Sequence, residues 1–157
     1  MSKNNLVINR EELAFTMSRV LDAPREKVWK AWTEPDQIPH WWGQRSSTTL
    51  VDKMDVRVGG EWRYIEKDSE GNEYAFNGVY KKIVPNEHLV YTSEFELMAG
   101  HISTETITFE ETKDGKTKCT SRTTFESVED LDGTIQSGME EGAKETWDQL
   151  EELVTKA

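Results

Sequence analysis

Two hydrophobic periods divide this chain. From Leu13 to about Phe125 apolar and polar positions alternate in runs with period two, the signature of half-buried strands. From about Glu129 to Thr155 the period changes to that of a helix. At 100° per residue Ile135, Met139, Gly142, Ala143, Thr146, Leu150, Leu153 and Val154 share one face, and Glu140, Glu141, Lys144, Glu145, Asp148, Glu151 and Glu152 share the other. At 1.5 Å per residue such a helix is about 40 Å long, enough to cross a sheet.

The first alternating run is Leu13, Phe15 and Met17 against Ala14, Thr16 and Ser18. A helical unit follows, opened by Pro24 as a first helical residue and closed before Pro35. Glu26 in its first turn meets the positive end of the helix dipole. Four of the six tryptophans (Trp29, Trp32, Trp41 and Trp42) fall in this unit and the tight turn behind it. Further strands are expected at about residues 46–54, 61–67, 74–83, 88–97, 102–111 and 117–125. Turn residues separate them: Gly59-Gly60, Asp68 to Asn72, Pro85-Asn86, Gly100 and Asp114-Gly115.

Adjacent strands joined by short turns imply an antiparallel sheet. The order predicts an α+β helix-grip fold: a curved seven-stranded antiparallel sheet around one long C-terminal helix, with two short helices after the first strand. Residues 1–12 read as a polar lead-in with a short apolar patch at Leu6-Val7-Ile8, and residues 13–157 as a single domain.

Charge narrows the partners. A net charge of −11 leaves no basic stripe for phosphates, which excludes nucleic acid and disfavours anionic membrane surfaces. No apolar run is long enough to span a bilayer, and no secretory signal is visible behind Met-Ser-Lys-Asn-Asn. Cys119 is the single cysteine, so no internal disulfide can form; a cytoplasmic location is expected.

Five segments, in order, resemble one superfamily. They are Asp22-Ala-Pro-Arg-Glu-Lys-Val-Trp, Pro35 through Trp42-Gly43, Arg57-Val-Gly-Gly-Glu-Trp, Gly78-Val-Tyr and Gly138-Met-Glu-Glu-Gly. Together they are similar to the SRPBCC (START-like) superfamily, in the branch named after the C-terminal domain of the activator of heat-shock-protein-90 ATPase. The resemblance implies a helix-grip fold with a deep apolar pocket for small hydrophobic ligands. Activities within the superfamily are diverse, so the fold transfers and the activity does not. Where many relatives carry Gly-Trp this chain has Gly142-Ala143, with a tryptophan at Trp147 instead. Losing an indole at position 143 enlarges the pocket unless Trp147 refills it.

Strand parity groups Trp62 with Tyr64, Tyr74 with Phe76 and Tyr80, and Leu89 with Tyr91 and Phe95. From these faces the expected ligand-binding residues are Trp42, Trp62, Tyr64, Phe76, Tyr91 and Phe95, with Met139 and Ala143 opposite on the helix. The rival reading is that these rings simply fill the core. Two charged residues share the inward parity: Glu105, with Ile107 and Phe109, and Arg19, with Phe15 and Met17. Their strands are expected to lie close, with the strand at 119–125 between them. A buried carboxylate needs a partner or a raised pKa, which makes Glu105 and Arg19 the weak catalytic candidates; a bulge resetting the parity, or a position at the rim, is the alternative.

His40, His88 and His101 lack ligand spacing, and no nucleotide-loop or nucleophile motif occurs, so neither metal nor cofactor is expected. Cys119 alternates within a strand and reads as an inert core thiol. The first functional reading is non-catalytic binding of a small hydrophobic molecule by a monomer or homodimer. The alternative is a polyketide cyclase- or hydrolase-like enzyme using Glu105 with Arg19 or a tyrosine. A second alternative is co-chaperone-like protein interaction, as the family name suggests.

Overall fold

The computed structural model describes residues 5–156. Eight strands form one antiparallel sheet in the order β1-β2-β8-β7-β6-β5-β4-β3. They are β1 (Asn5–Asn9), β2 (Ala14–Leu21), β3 (Thr48–Met54), β4 (Glu61–Lys67), β5 (Glu73–Val84), β6 (His88–Phe95), β7 (Ile102–Glu111) and β8 (Thr117–Thr124). Three helices accompany them: α1 (Arg25–Thr33), α2 (Val128–Gln136) and α3 (Met139–Val154). Single 3-10 turns at Ile38–His40 and Glu96–Met98 complete the set. The architecture is α+β and consistent with a helix grip.

The expected seven strands are eight. The additional one, β1, lies in the segment read as a lead-in and pairs with β2 through Leu6↔Met17. Only Leu6 of β1 is half-buried, while Val7 and Ile8 are 63% and 42% exposed. A five-residue edge strand with three apolar residues in a row leaves no alternation to read. Residues 1–4 of that lead-in lie outside the described residues. The two short helical pieces therefore follow the second strand, and the later one is a single 3-10 turn.

The C-terminal helix also departs from expectation, because it is two helices. Ser127 caps α2 by accepting from the Asp130 N–H at 3.1 Å. The chain then turns at Ser137-Gly138, with Gly138 at φ 85°, and restarts at Met139. Glycine alone adopts that left-handed conformation without strain. The apolar periodicity continues through the break on the same face, so the pattern reads as one helix.

Proline 24 sits one position earlier than expected, as the extended residue before α1 (ψ 156°). Pro35 ends the helix as expected, with Glu34 extended at ψ 129°. The helix buries Val28, Ala31 and Trp32. The Trp32 ring meets Trp41 edge-on at 4.6 Å and Trp147 at 6.3 Å, tying α1, the following turn and α3 into one core. That turn is fastened to α3 twice, since the Gly43 carbonyl accepts from Gln149 Nε2 at 2.7 Å and from Thr146 Oγ1 at 3.2 Å.

Candidate ligand cleft

Register places a row of side chains straight across the sheet. Phe15 pairs with Thr123, Thr123 with Glu105, Glu105 with Tyr91, and Tyr91 with Tyr80. Because side chains at paired positions share a face, the row sets one carboxyl among rings and a hydroxyl. Next to it Trp62 pairs with Gly78, and its indole N–H donates to the Thr92 carbonyl at 3.1 Å. A Cβ at position 78 would stand 1.8 Å from that carbonyl oxygen and 2.5 Å from Trp62 Nε1. Gly78 is what lets the indole cross the strand.

Space lies over this row in three parts. A cavity of about 30 Å³, room for about one water, is walled by Trp62, Tyr64, Tyr80, Leu89, Tyr91 and Glu105, with the tryptophans of the α1 turn above. A cleft of about 440 Å³ opens between the row and α3, lined by Phe15, Trp42, Phe76, Tyr91, Glu105, Met139, Gly142, Ala143 and Trp147 among others. A second cleft, of about 550 Å³, opens between the row and α2, lined by Phe15, Phe76, Phe95, Met98, Glu105, Phe125, Asp130, Gly133 and others. The two clefts flank the break at Ser137-Gly138 and share Phe15, Phe76, Glu105 and Thr123. Among the described residues Glu105 alone lines all three spaces.

The expected ligand residues divide accordingly. Trp62 and Tyr64 are 3% and 5% exposed and touch only the water-sized cavity. Trp42, Tyr91, Met139, Ala143 and Phe76 face the α3 cleft, and Phe76 and Phe95 the α2 cleft. Phe15, Trp32, Thr123, Phe125 and Trp147 also line this space and are not among the expected ligand-binding residues. Phe15 and Thr123 were legible in principle, because register with Glu105 puts them in the same row; Trp147 needed the helix's true rotation. Trp147 is buried against Trp32 one turn beyond Ala143, so the space at Ala143 stays open. Gly133 and Gly142 line one cleft each, and a Cβ at either would meet nothing within 4 Å.

Glu105 and Arg19 do not meet. Arg19 pairs with Cys119, which pairs with Phe109, in a row four residues along from Glu105, about 13 Å away at strand rise. Its guanidinium, 2% exposed as a residue, binds Asp148 Oδ1 at 2.9 Å and Glu151 Oε1 at 3.0 Å on α3. Those carboxylates fell on the outward face of the expected helix; Arg19 draws them to the sheet. Left without that cation, Glu105 is pushed up to about 7 by burial, with a bond from the Thr123 hydroxyl pulling the other way. Its residual exposure is to the clefts that it lines. Burial and the Glu105 charge together raise the Tyr91 phenol well above its usual range.

The other chemistry-bearing residues are quiet. Burial raises the Cys119 thiol, so it stays protonated and inert. His101 Nδ1 lies 2.8 Å from Asp130 Oδ1 at the rim of the α2 cleft, and His40 is exposed. Among the described residues no group of three or more histidine, cysteine, aspartate or glutamate side chains is placed to hold a metal. No helix among them is long and apolar enough to cross a membrane.

Comparison with known proteins places this geometry. The family model described as Activator of Hsp90 ATPase homolog 1-like protein matches residues 22–155. The chain belongs to that family. The match begins just after β2, so Phe15 is the one residue of the shared wall outside it. A solution structure of a protein from Arthrobacter aurescens superimposes with TM-score 0.89 at 25% identity, covering 98% of this chain and 92% of that one. A crystal structure of a Mycobacterium smegmatis protein gives 0.87 at 25% identity, covering 100% and 99%. One from Chromobacterium violaceum gives 0.82 at 26% identity, covering 92% and 99%. No curated protein matches. Family membership thus establishes an SRPBCC-type fold, that of a superfamily of ligand-binding domains.

Proposed function

We propose that this protein binds a small hydrophobic molecule, without transforming it, in the cleft between the sheet and the broken C-terminal helix. The observation that carries the reading is the pair of clefts, about 440 and 550 Å³, sharing four wall residues and setting aromatic rings among a few polar side chains. Each lies within the range of roughly 300–1,000 Å³ usual for small-molecule sites. Glycine at 133 and 142 supports it, since side chains there would occupy the space. Glu105 and Thr123 are the polar anchors. The lone buried Cys119 fits a reducing cytoplasm, where the protein would act as a monomer or homodimer.

Native mass spectrometry of the purified protein tests this directly. A retained apolar compound, lost on mild denaturation, is the expected result. Failure to retain one, together with no chemical-shift change in the cleft residues on titration with apolar compounds, would contradict it.

A second reading makes Glu105 a general acid or base, and one observation favours it: a shielded carboxyl poised near pH 7 beside the cleft. Turnover of an identified ligand, abolished in Glu105→Gln with binding retained, would establish this reading over the first.

A further inference from the structure

We propose that the cleft takes an apolar amine, its hydrocarbon body lying between sheet and helix and its ammonium group received by Glu105. This rests on the ligand-binding reading above and adds the ligand's charge. Glu105 lines every space over the sheet row, so a group seated at its carboxyl is reached from either cleft. A carboxylate in such surroundings must either hold a proton or meet a cation. The protein supplies no such cation, because no lysine or arginine among the described residues lines either cleft. Arg19, the buried cation that shares the inward face, is engaged by Asp148 and Glu151.

The remaining wall favours the same sign. Trp42, Phe76 and Tyr91 line the α3 cleft together with Glu105, and aromatic faces attract cations. At the rims the charged side chains are again acidic: Glu66 toward α3, Glu129 and Asp130 toward α2. The rim's His101 is turned to Asp130 at 2.8 Å. An anionic ligand would cross these carboxylates and find no lysine or arginine inside. A chain with net charge −11 concentrates cations near its surface before they bind.

Three probes with one ring system decide it: 1-naphthylmethylamine, 1-naphthalenemethanol and 1-naphthoate, titrated by calorimetry into the full chain at neutral pH. The amine should bind about tenfold tighter than the alcohol, and the carboxylate weakest. In Glu105→Gln the amine and the alcohol should fall within about twofold of each other. Equal affinity of amine and alcohol for the wild-type protein overturns the inference and leaves the ligand cleft standing. So does an amine advantage that survives Glu105→Gln. If none of the three binds, the cleft reading fails and this inference with it. The wild-type comparison needs no variant, so a Glu105→Gln protein that does not fold leaves the test intact.

Discussion

Tyr91 and Glu105 stand opposite each other on β6 and β7, each lining the same cavity, and burial favours the protonated form of both. The carboxyl, pushed up to about 7, makes this pair pH-sensitive. Between about pH 4.5 and 7 the folded chain holds a proton that the unfolded chain releases. Stability should therefore fall as pH rises through that window and level off above it. Glu105→Gln removes this dependence. Thermal unfolding should show variant and wild type close at pH 4.5 and the variant ahead at pH 8, by about 3 kcal/mol at most. A difference that does not change with pH would mean that Glu105 is solvated.

The glycines around the helix break should respond in opposite directions. Gly142 lies within α3 with open space at its Cβ position, so Gly142→Ala should stabilise the fold by about 0.5–1 kcal/mol. Gly138, at φ 85°, should lose about 1 kcal/mol or more as alanine. Chemical denaturation of the two variants measures both. Gain at position 138 would argue for a continuous C-terminal helix.

Gly78→Ala should be far more damaging. The new methyl overlaps the Thr92 carbonyl and Trp62 Nε1, so β5 must part from β6 or the indole must leave its bond. A loss of about 3 kcal/mol or more is expected, together with a shifted Trp62 indole N–H resonance. An unperturbed resonance would contradict the packing described.

Much of this was legible in the chain because period two and period 3.6 each report one face. Strand parity turned Glu105 and Arg19 inward, and register set β8 between their strands. Parity says nothing about position along a strand, however, and the four-residue offset that separates the two charges is a register fact. The same limit applied to Asp148 and Glu151, which a helical wheel assigns to solvent and a buried arginine brings to the sheet. The helix break was hidden because Gly138 interrupts the backbone without interrupting the apolar stripe. β1 escaped because Leu6, Val7 and Ile8 are apolar in succession, which carries no alternation. Among the rings, parity grouped Trp62 and Tyr64 with the cleft residues although they close the core beneath it.

The most direct measurement is a titration of a neutral apolar dye, N-phenyl-1-naphthylamine, into the wild-type protein and Ala143→Trp. Ala143 faces the α3 cleft, and Trp147 does not fill the space beside it. Saturable binding to the wild type is predicted, weakened about tenfold or more by the indole at 143, with the unfolding temperature little changed. Absence of saturable binding, or binding indifferent to Ala143→Trp, would contradict a ligand cleft between the sheet and the C-terminal helix.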